Sequence, residues 1–255
     1  DLSVTMKLLL LIYSLSSLTF AALLAEGDAA FKKRGEKDQA QKAVEIYQQL
    51  SQQSPQDAQL LWRVAMANHF VGMRYLDSRE QRLEIYERGY LAGKRSVELK
   101  PNCAPCHFWT AVALALYSQE RGIFSSLAYL PEVQEYLEST IKLDPTYASG
   151  GAYRILGRIQ EALPGILGGD NDKALDYYEK SVDIAPKEPL NYLFLVKLHQ
   201  ELGSPSEIVH AIIEKASRLP EPADEFVESR ESLFEIKQIA ETQGVFALNP
   251  AIASR

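Results

Sequence analysis

The string Cys103-Ala-Pro-Cys106-His107 brings together the most reactive side chains of this 255-residue chain. In an exported protein C-x-x-C-H is the attachment motif of c-type haem, in which two thiols bond the vinyl groups and the histidine takes an axial iron position. Met66, Met73, His69, His199 and His210 are the available second ligands, and none stands at a recognisable spacing. A disulfide or thioredoxin-like redox pair is a second reading, and two unpaired buried cysteines a third. His107 also falls six residues after Pro101, where a helical repeat places a packing residue, so the histidine has a structural reading of its own. Zinc is not expected, because Cys103, Cys106 and His107 supply at most three ligands and no second ligand pair follows.

Other chemistry is thin. Gly168-Gly169-Asp170-Asn171-Asp172 suggests a calcium loop, but Ala174 and Leu175 stand where oxygen ligands are required, so the string reads as a turn with an N-cap. Nucleophile-elbow, zincin, P-loop and dinucleotide fingerprints do not occur. The pairs Glu225/Glu228 and Glu231/Glu235 lie on a polar stretch that reads as a solvated face. No enzyme activity and no cofactor are expected. With a formal charge of −7 and no dense Lys/Arg cluster, the chain has no footprint for nucleic acid.

The elements that position these residues follow from a repeated pattern. Ala43/Tyr47/Leu50/Pro55, Gly89/Gly93/Ser96/Pro101, Val133/Leu137/Thr140/Pro145, Ala174/Tyr178/Ser181/Pro186 and Ile208/Ile212/Lys215/Pro220 share offsets of four, three and five. The first three residues of each set lie on one helical stripe, and the proline ends the helix because it lacks an N–H and clashes with the preceding turn. The prolines are 46, 44, 41 and 34 residues apart, and only the last interval matches an uninterrupted tetratricopeptide unit. The spacing predicts an all-α, tetratricopeptide-like helical-repeat solenoid of about five helix pairs, a single domain over 22–255 closed by a polar cap helix at 223–243. Gly89 and Gly93 predict a close neighbour, with Tyr86, Tyr90 and Trp109 as candidates. Apolar inserts at 122–131 and 163–169 interrupt the third and fourth units, and their position predicts one functional edge.

Met6, Lys7 and the apolar run from Leu8 to Leu18, followed by Thr19-Phe20-Ala21, read as a signal peptide over 1–21, with residues 1–5 upstream of the expected start and cleavage after Ala21. A buried first helix is the alternative. Export predicts a periplasmic protein, and no cysteine beside the cleavage site suggests a lipid anchor.

Gly93-Lys-Arg-Ser-Val-Glu-Leu-Lys-Pro101, His107-Phe-Trp109, Leu130-Pro-Glu-Val through Leu143-Asp-Pro-Thr-Tyr147, Gly150-Gly-Ala-Tyr-Arg-Ile-Leu-Gly157 and Leu163-Pro-Gly-Ile-Leu-Gly-Gly-Asp-Asn-Asp-Lys-Ala-Leu175 together resemble the T-component family of tetratricopeptide TRAP-associated transporters. The resemblance covers about 40–219. It implies a homotrimer that partners a periplasmic solute-binding protein, with an apolar pore for a small apolar or amphipathic ligand. Trp109, Tyr117, Phe124, Leu127, Tyr153, Leu163 and Ile166, chosen for type and closeness to the inserts, are the candidate lining. Gly150 and Gly151 would let backbone approach the pore or a partner. Cys103 and Cys106 are not part of that family's pattern, which favours packing over haem for His107. The competing reading is a general tetratricopeptide scaffold for an envelope protein complex.

Overall fold

The computed structural model describes residues 19–245, so most of the expected signal peptide lies outside the described residues. Helix α1 (residues 19–32) is followed by α2 (Lys37–Gln53), α3 (Ala58–Tyr75), α4 (Arg79–Leu99), α5 (Ala104–Arg121), α6 (Ile123–Leu143), α7 (Gly151–Ala162), α8 (Asn171–Ile184), α9 (Pro189–Glu201), α10 (Ser206–Ser217) and α11 (Val227–Thr242). The chain is an all-α, tetratricopeptide-like helical repeat. The described residues divide into two compact units that part after Val133, inside α6.

Within the first unit, α3 packs on α2, α4 and α5, and α4 packs on α5. In the second unit α7 packs on α8 and α9, α9 on α8, α10 and α11, and α10 on α11. Within their units α3, α7 and α9 each touch their own partner and the first helix of the next pair, the contact pattern of stacked helical hairpins. Phe20, Leu23 and Leu24 of α1 pack on Ile46, Leu50 and Leu60. A core of the second unit gathers Tyr178, Tyr192, Val196, Leu198, Ile213 and Ile236, among others.

The repeat stripe is the burial pattern. Ala43, Tyr47 and Leu50, Val133, Leu137 and Thr140, and Ala174, Tyr178 and Ser181 are all buried, as are Gly89, Gly93 and Ser96. The residue before each proline closes its helix: Ser54, Lys100, Asp144 and Ala185 donate their N–H to the carbonyls of Leu50, Ser96, Thr140 and Ser181, at 2.8–3.1 Å. Proline then cannot extend the ladder. The fifth stripe is displaced by one residue from the expected one. Val209, Ile213 and Ala216 are buried, whereas Ile208 is 46% exposed and Lys215 faces solvent. The four-then-three spacing persists, but the last turn before Pro220 is one residue shorter.

Two residues past the proline stands the next N-cap: Asp57 accepts from Gln59 N, Cys103 Sγ from Cys106 N, and Glu188 from Leu190 N. Three further on, the side chain turns into the core, as Leu60, Cys106 and Asn191. The fourth repeat breaks this rule after Pro145, with consequences described below.

The insert at 122–131 is not irregular. Gly122, at φ 105°, is a one-residue link that ends α5, and the apolar residues that follow form the first half of α6, with Pro131 inside the helix. Ile, Phe, Leu, Ala and Tyr are compatible with helix, and Pro131 forfeits one internal donor without ending it. The glycines of α4 also have other neighbours than expected. A Cβ on Gly93 would meet Thr110 of α5, and one on Gly89 would meet Asn68, Ala65 and Ala113; Tyr86 is instead the neighbour of Gly72.

Candidate functional site

The expected lining residues lie on separate parts of the two units. In the first, Trp109 is half-buried against the rings of His69 and Phe108. Tyr117 is buried beside Tyr90, donates to Glu87 and accepts from Arg121 at 3.0 Å each. Tyr90 also meets Tyr129 edge-on and donates to Glu132, and burial pushes its phenol up to about 12. Leu127 is half-buried, and Phe124 is 87% exposed. In the second unit Tyr153 leans on Tyr177, Leu163 caps α7, and Ile166 is 95% exposed.

The segment Leu163–Asp170 is a closed loop in which most positions have a structural task. Leu163 N–H returns to Ile159 O, Gly168 takes φ 91°, and a Cβ on Gly169 would fall 1.7 Å from Leu163 O. Asp170 then caps α8 by accepting from Asp172 N and Lys173 N, bonds that hold its carboxyl below the ordinary value.

Cys103 and Cys106 are joined in a disulfide, which overturns haem attachment through those thiols. The pair occupies the N-cap and core positions that Asp57/Leu60 and Glu188/Asn191 fill in other repeats, packed with Ala58, Trp62, Val97 and Leu99. His107 Nε2 lies 2.8 Å from Pro101 O, as Tyr192 Oη donates to Pro186 O at 3.0 Å, so the sixth residue past the proline reaches back to it in both repeats. Among the described residues no group of His, Cys, Asp and Glu is placed to hold a metal ion.

The unusual geometry of the second unit begins after Pro145. Ala148, Ser149 and Gly150 have φ of 51°, 55° and 73° in succession, a left-handed run that costs roughly 1–2 kcal/mol for each non-glycine residue. Asn191, fully buried, holds the run: its Nδ2 donates to Ser149 O at 3.0 Å and to Ser181 O at 2.7 Å, while its Oδ1 accepts from Arg154 Nη1. Gly150 is placed by close approach, since a Cβ there would lie 3.3 Å from Ser181 Cα. The close neighbour of this glycine is the end of α8. Arg154 loses solvation, which lowers its pKa, against the opposing charges of Glu188 and Glu228.

Beside this network runs a groove of about 520 Å³. Ser149 forms part of it, Pro186, Pro189, Pro220 and Pro222 line it, and Phe226, 50% exposed, stands at its side. Glu188 both caps α9 and accepts from Ser229 of α11 at 3.0 Å, tying the walls together. None of the expected lining residues belongs to this groove. The overlooked signals are the four prolines around Phe226, and a polar Asn191 at a repeat position that is otherwise apolar.

The family model for regulator of microtubule dynamics protein 1-3 matches residues 23–160. The chain belongs to that family. Regulator of microtubule dynamics protein 1 of Pongo abelii is 29% identical over 175 residues, which cover 62% of this chain and 55% of the relative. The Mus musculus protein of the same name is 25% identical over 176 residues, covering 62% and 57%. The chain thus spans about half the length of the curated relatives it matches. Among solved structures, a thermophilic TPR protein of Thermus thermophilus superposes with a TM-score of 0.60 at 16% identity, over 84% of this chain and 99% of that one, which attests the fold.

Proposed function

We propose that the chain is a non-catalytic protein-docking scaffold. The observation that carries this reading is the stack of helical hairpins in which the second unit leaves a solvent-open groove, held in shape by the Asn191 network and lined by proline, phenylalanine and carboxylate. Grooves on repeat proteins suit extended segments of a partner. The name of the relatives makes microtubules the first partner to test. In a pelleting assay the full chain is expected to sediment with polymerised tubulin and to stay in solution without it.

A second reading follows from the T-component resemblance: a periplasmic, exported homotrimer that docks a TRAP solute-binding protein and shelters a small apolar ligand. The buried Cys103–Cys106 disulfide favours it, because such bonds persist in oxidising compartments. The exposed Phe124 and Ile166 would then be subunit or pore contacts. Native mass spectrometry separates the readings, with a trimer carrying a nonpolar adduct expected from the second. A monomer that neither pellets with microtubules nor binds a solute-binding protein would overturn both.

A further inference from the structure

The disulfide at the start of α5 encloses only Ala104 and Pro105 between its cysteines. Loop entropy gives so short a link little to contribute, because the gain grows with the length of chain enclosed. Nor does the turn need it: Asp57/Leu60 and Glu188/Asn191 build the same helix start with no covalent link. Stability therefore does not account for the bond. The two sulfurs also differ in the way exchange chemistry requires. Cys103 is the N-cap, 4% exposed, and its Sγ accepts from Cys106 N at 3.2 Å. Cys106 is fully buried, in a cluster with Ala58, Trp62, Val97 and Leu99. Once the bond opens, a Cys103 thiolate keeps that N–H and faces the positive end of the α5 dipole. The caps at the matching place of two other repeats are the carboxylates of Asp57 and Glu188, so this is a position at which the repeat carries an anion. Pro105, in the first turn, fixes the backbone between the sulfurs in either state.

We propose that Cys103 and Cys106 form a reversible dithiol–disulfide couple, a redox site that is independent of which partner the scaffold docks. Its co-reactant is a reductant that supplies two thiols. The first thiolate attacks Cys103 Sγ, the sulfur with access. The S–S bond breaks, a mixed disulfide forms on Cys103, and Cys106 leaves with the electron pair and takes a proton. The second thiolate attacks the outer sulfur of the mixed disulfide, which leaves as the oxidised reductant and releases Cys103 as the thiolate cap. Two electrons pass to the chain; of the two protons the reductant gives up, one ends on Cys106 and one in water. The reverse sequence restores the bond. Helix α5 keeps its start in both states because the cap contact from Cys106 N survives.

Glutathione buffers and mass spectrometry on the full chain test it. The native chain, equilibrated at pH 7 over graded ratios of reduced to oxidised glutathione, is quenched in acid, and its thiols are counted by maleimide mass after unfolding. No thiols at the oxidised end, two at the reduced end, the same curve from either direction and unchanged circular dichroism are expected. For the order of attack, Cys106→Ala and Cys103→Ala are each given oxidised glutathione. The first variant, which keeps Cys103, is expected to form its mixed disulfide about tenfold faster than the second. The wild-type curve tests the couple whether or not both variants fold. A bond that stays closed at the reduced end and opens only in denaturant, loss of helix on reduction, or equal rates for two folded variants would overturn the inference.

Discussion

Two glycines four residues apart on α4 are expected to respond to alanine with opposite signs. At Gly89 the added methyl would lie 3.4 Å from Asn68 Cβ, 3.5 Å from Ala65 Cα and 3.6 Å from Ala113 Cβ, ordinary contact distances. The helix propensity gain of about 0.5–1 kcal/mol is then left unopposed. At Gly93 the methyl would come 2.6 Å from Thr110 Oγ1 and 3.0 Å from Thr110 Cα. The hydroxyl is committed to Cys106 O at 2.6 Å and the second atom is backbone, so neither yields cheaply. Overpacking costs about 1–3 kcal/mol, and after the propensity gain a net loss of about 1–2 kcal/mol remains. Both tryptophans, Trp62 and Trp109, lie in the first unit, so their fluorescence during urea unfolding reports this unit alone. Gly89→Ala should raise the midpoint and Gly93→Ala lower it at unchanged slope. Equal signs for the two variants would refute the argument that distance to Thr110 sets the outcome.

In the second unit, Asn191→Leu should cost about 2–4 kcal/mol in urea unfolding followed by circular dichroism, because two carbonyls and Arg154 lose their partner at once. Gly150→Ala should cost about 1–2 kcal/mol through its φ of 73° and the nearby Ser181 backbone, read as a lower melting temperature. Replacing Cys103 and Cys106 together by Asp and Leu, the residues of the preceding repeat, should keep the melting temperature within a few degrees, while Cys106→Ser alone lowers it further. Burial of His199 beside Ser204 depresses its pKa from 6.5. The neutral form therefore stabilises the fold above the unfolded value, and that contribution is lost as pH falls through the lower folded value. Urea midpoints should decline from pH 7 towards 5, and His199→Gln should flatten the decline.

Much of the fold is legible because a tetratricopeptide-like hairpin must end each second helix, and proline does so after a buried stripe. Tyr47, Leu137 and Tyr178 are found from spacing alone because that stripe is the core contact. The fifth stripe shifts by a residue because Ile208 and Ile212 are as apolar as Val209 and Ile213, so type does not choose the register. The stretch 122–131 reads as a break because glycine and proline bracket it, yet a single glycine suffices to join two helices when the proline is tolerated inside. The candidate site is less legible. Residue type favours the apolar side chains near the inserts, whereas the groove is built from prolines distant in sequence and from a left-handed turn at Ala148 and Ser149, residue types that give no warning of positive φ.

The most direct test of the scaffold account is photo-crosslinking from benzoylphenylalanine placed at Phe226 of the full chain, in the cells that make it, with the captured peptide sequenced by mass spectrometry. The account predicts capture of one recurrent segment of a partner protein. A crosslinker at Phe226 that captures no protein, while the chain still engages its partner through other surfaces, would contradict it.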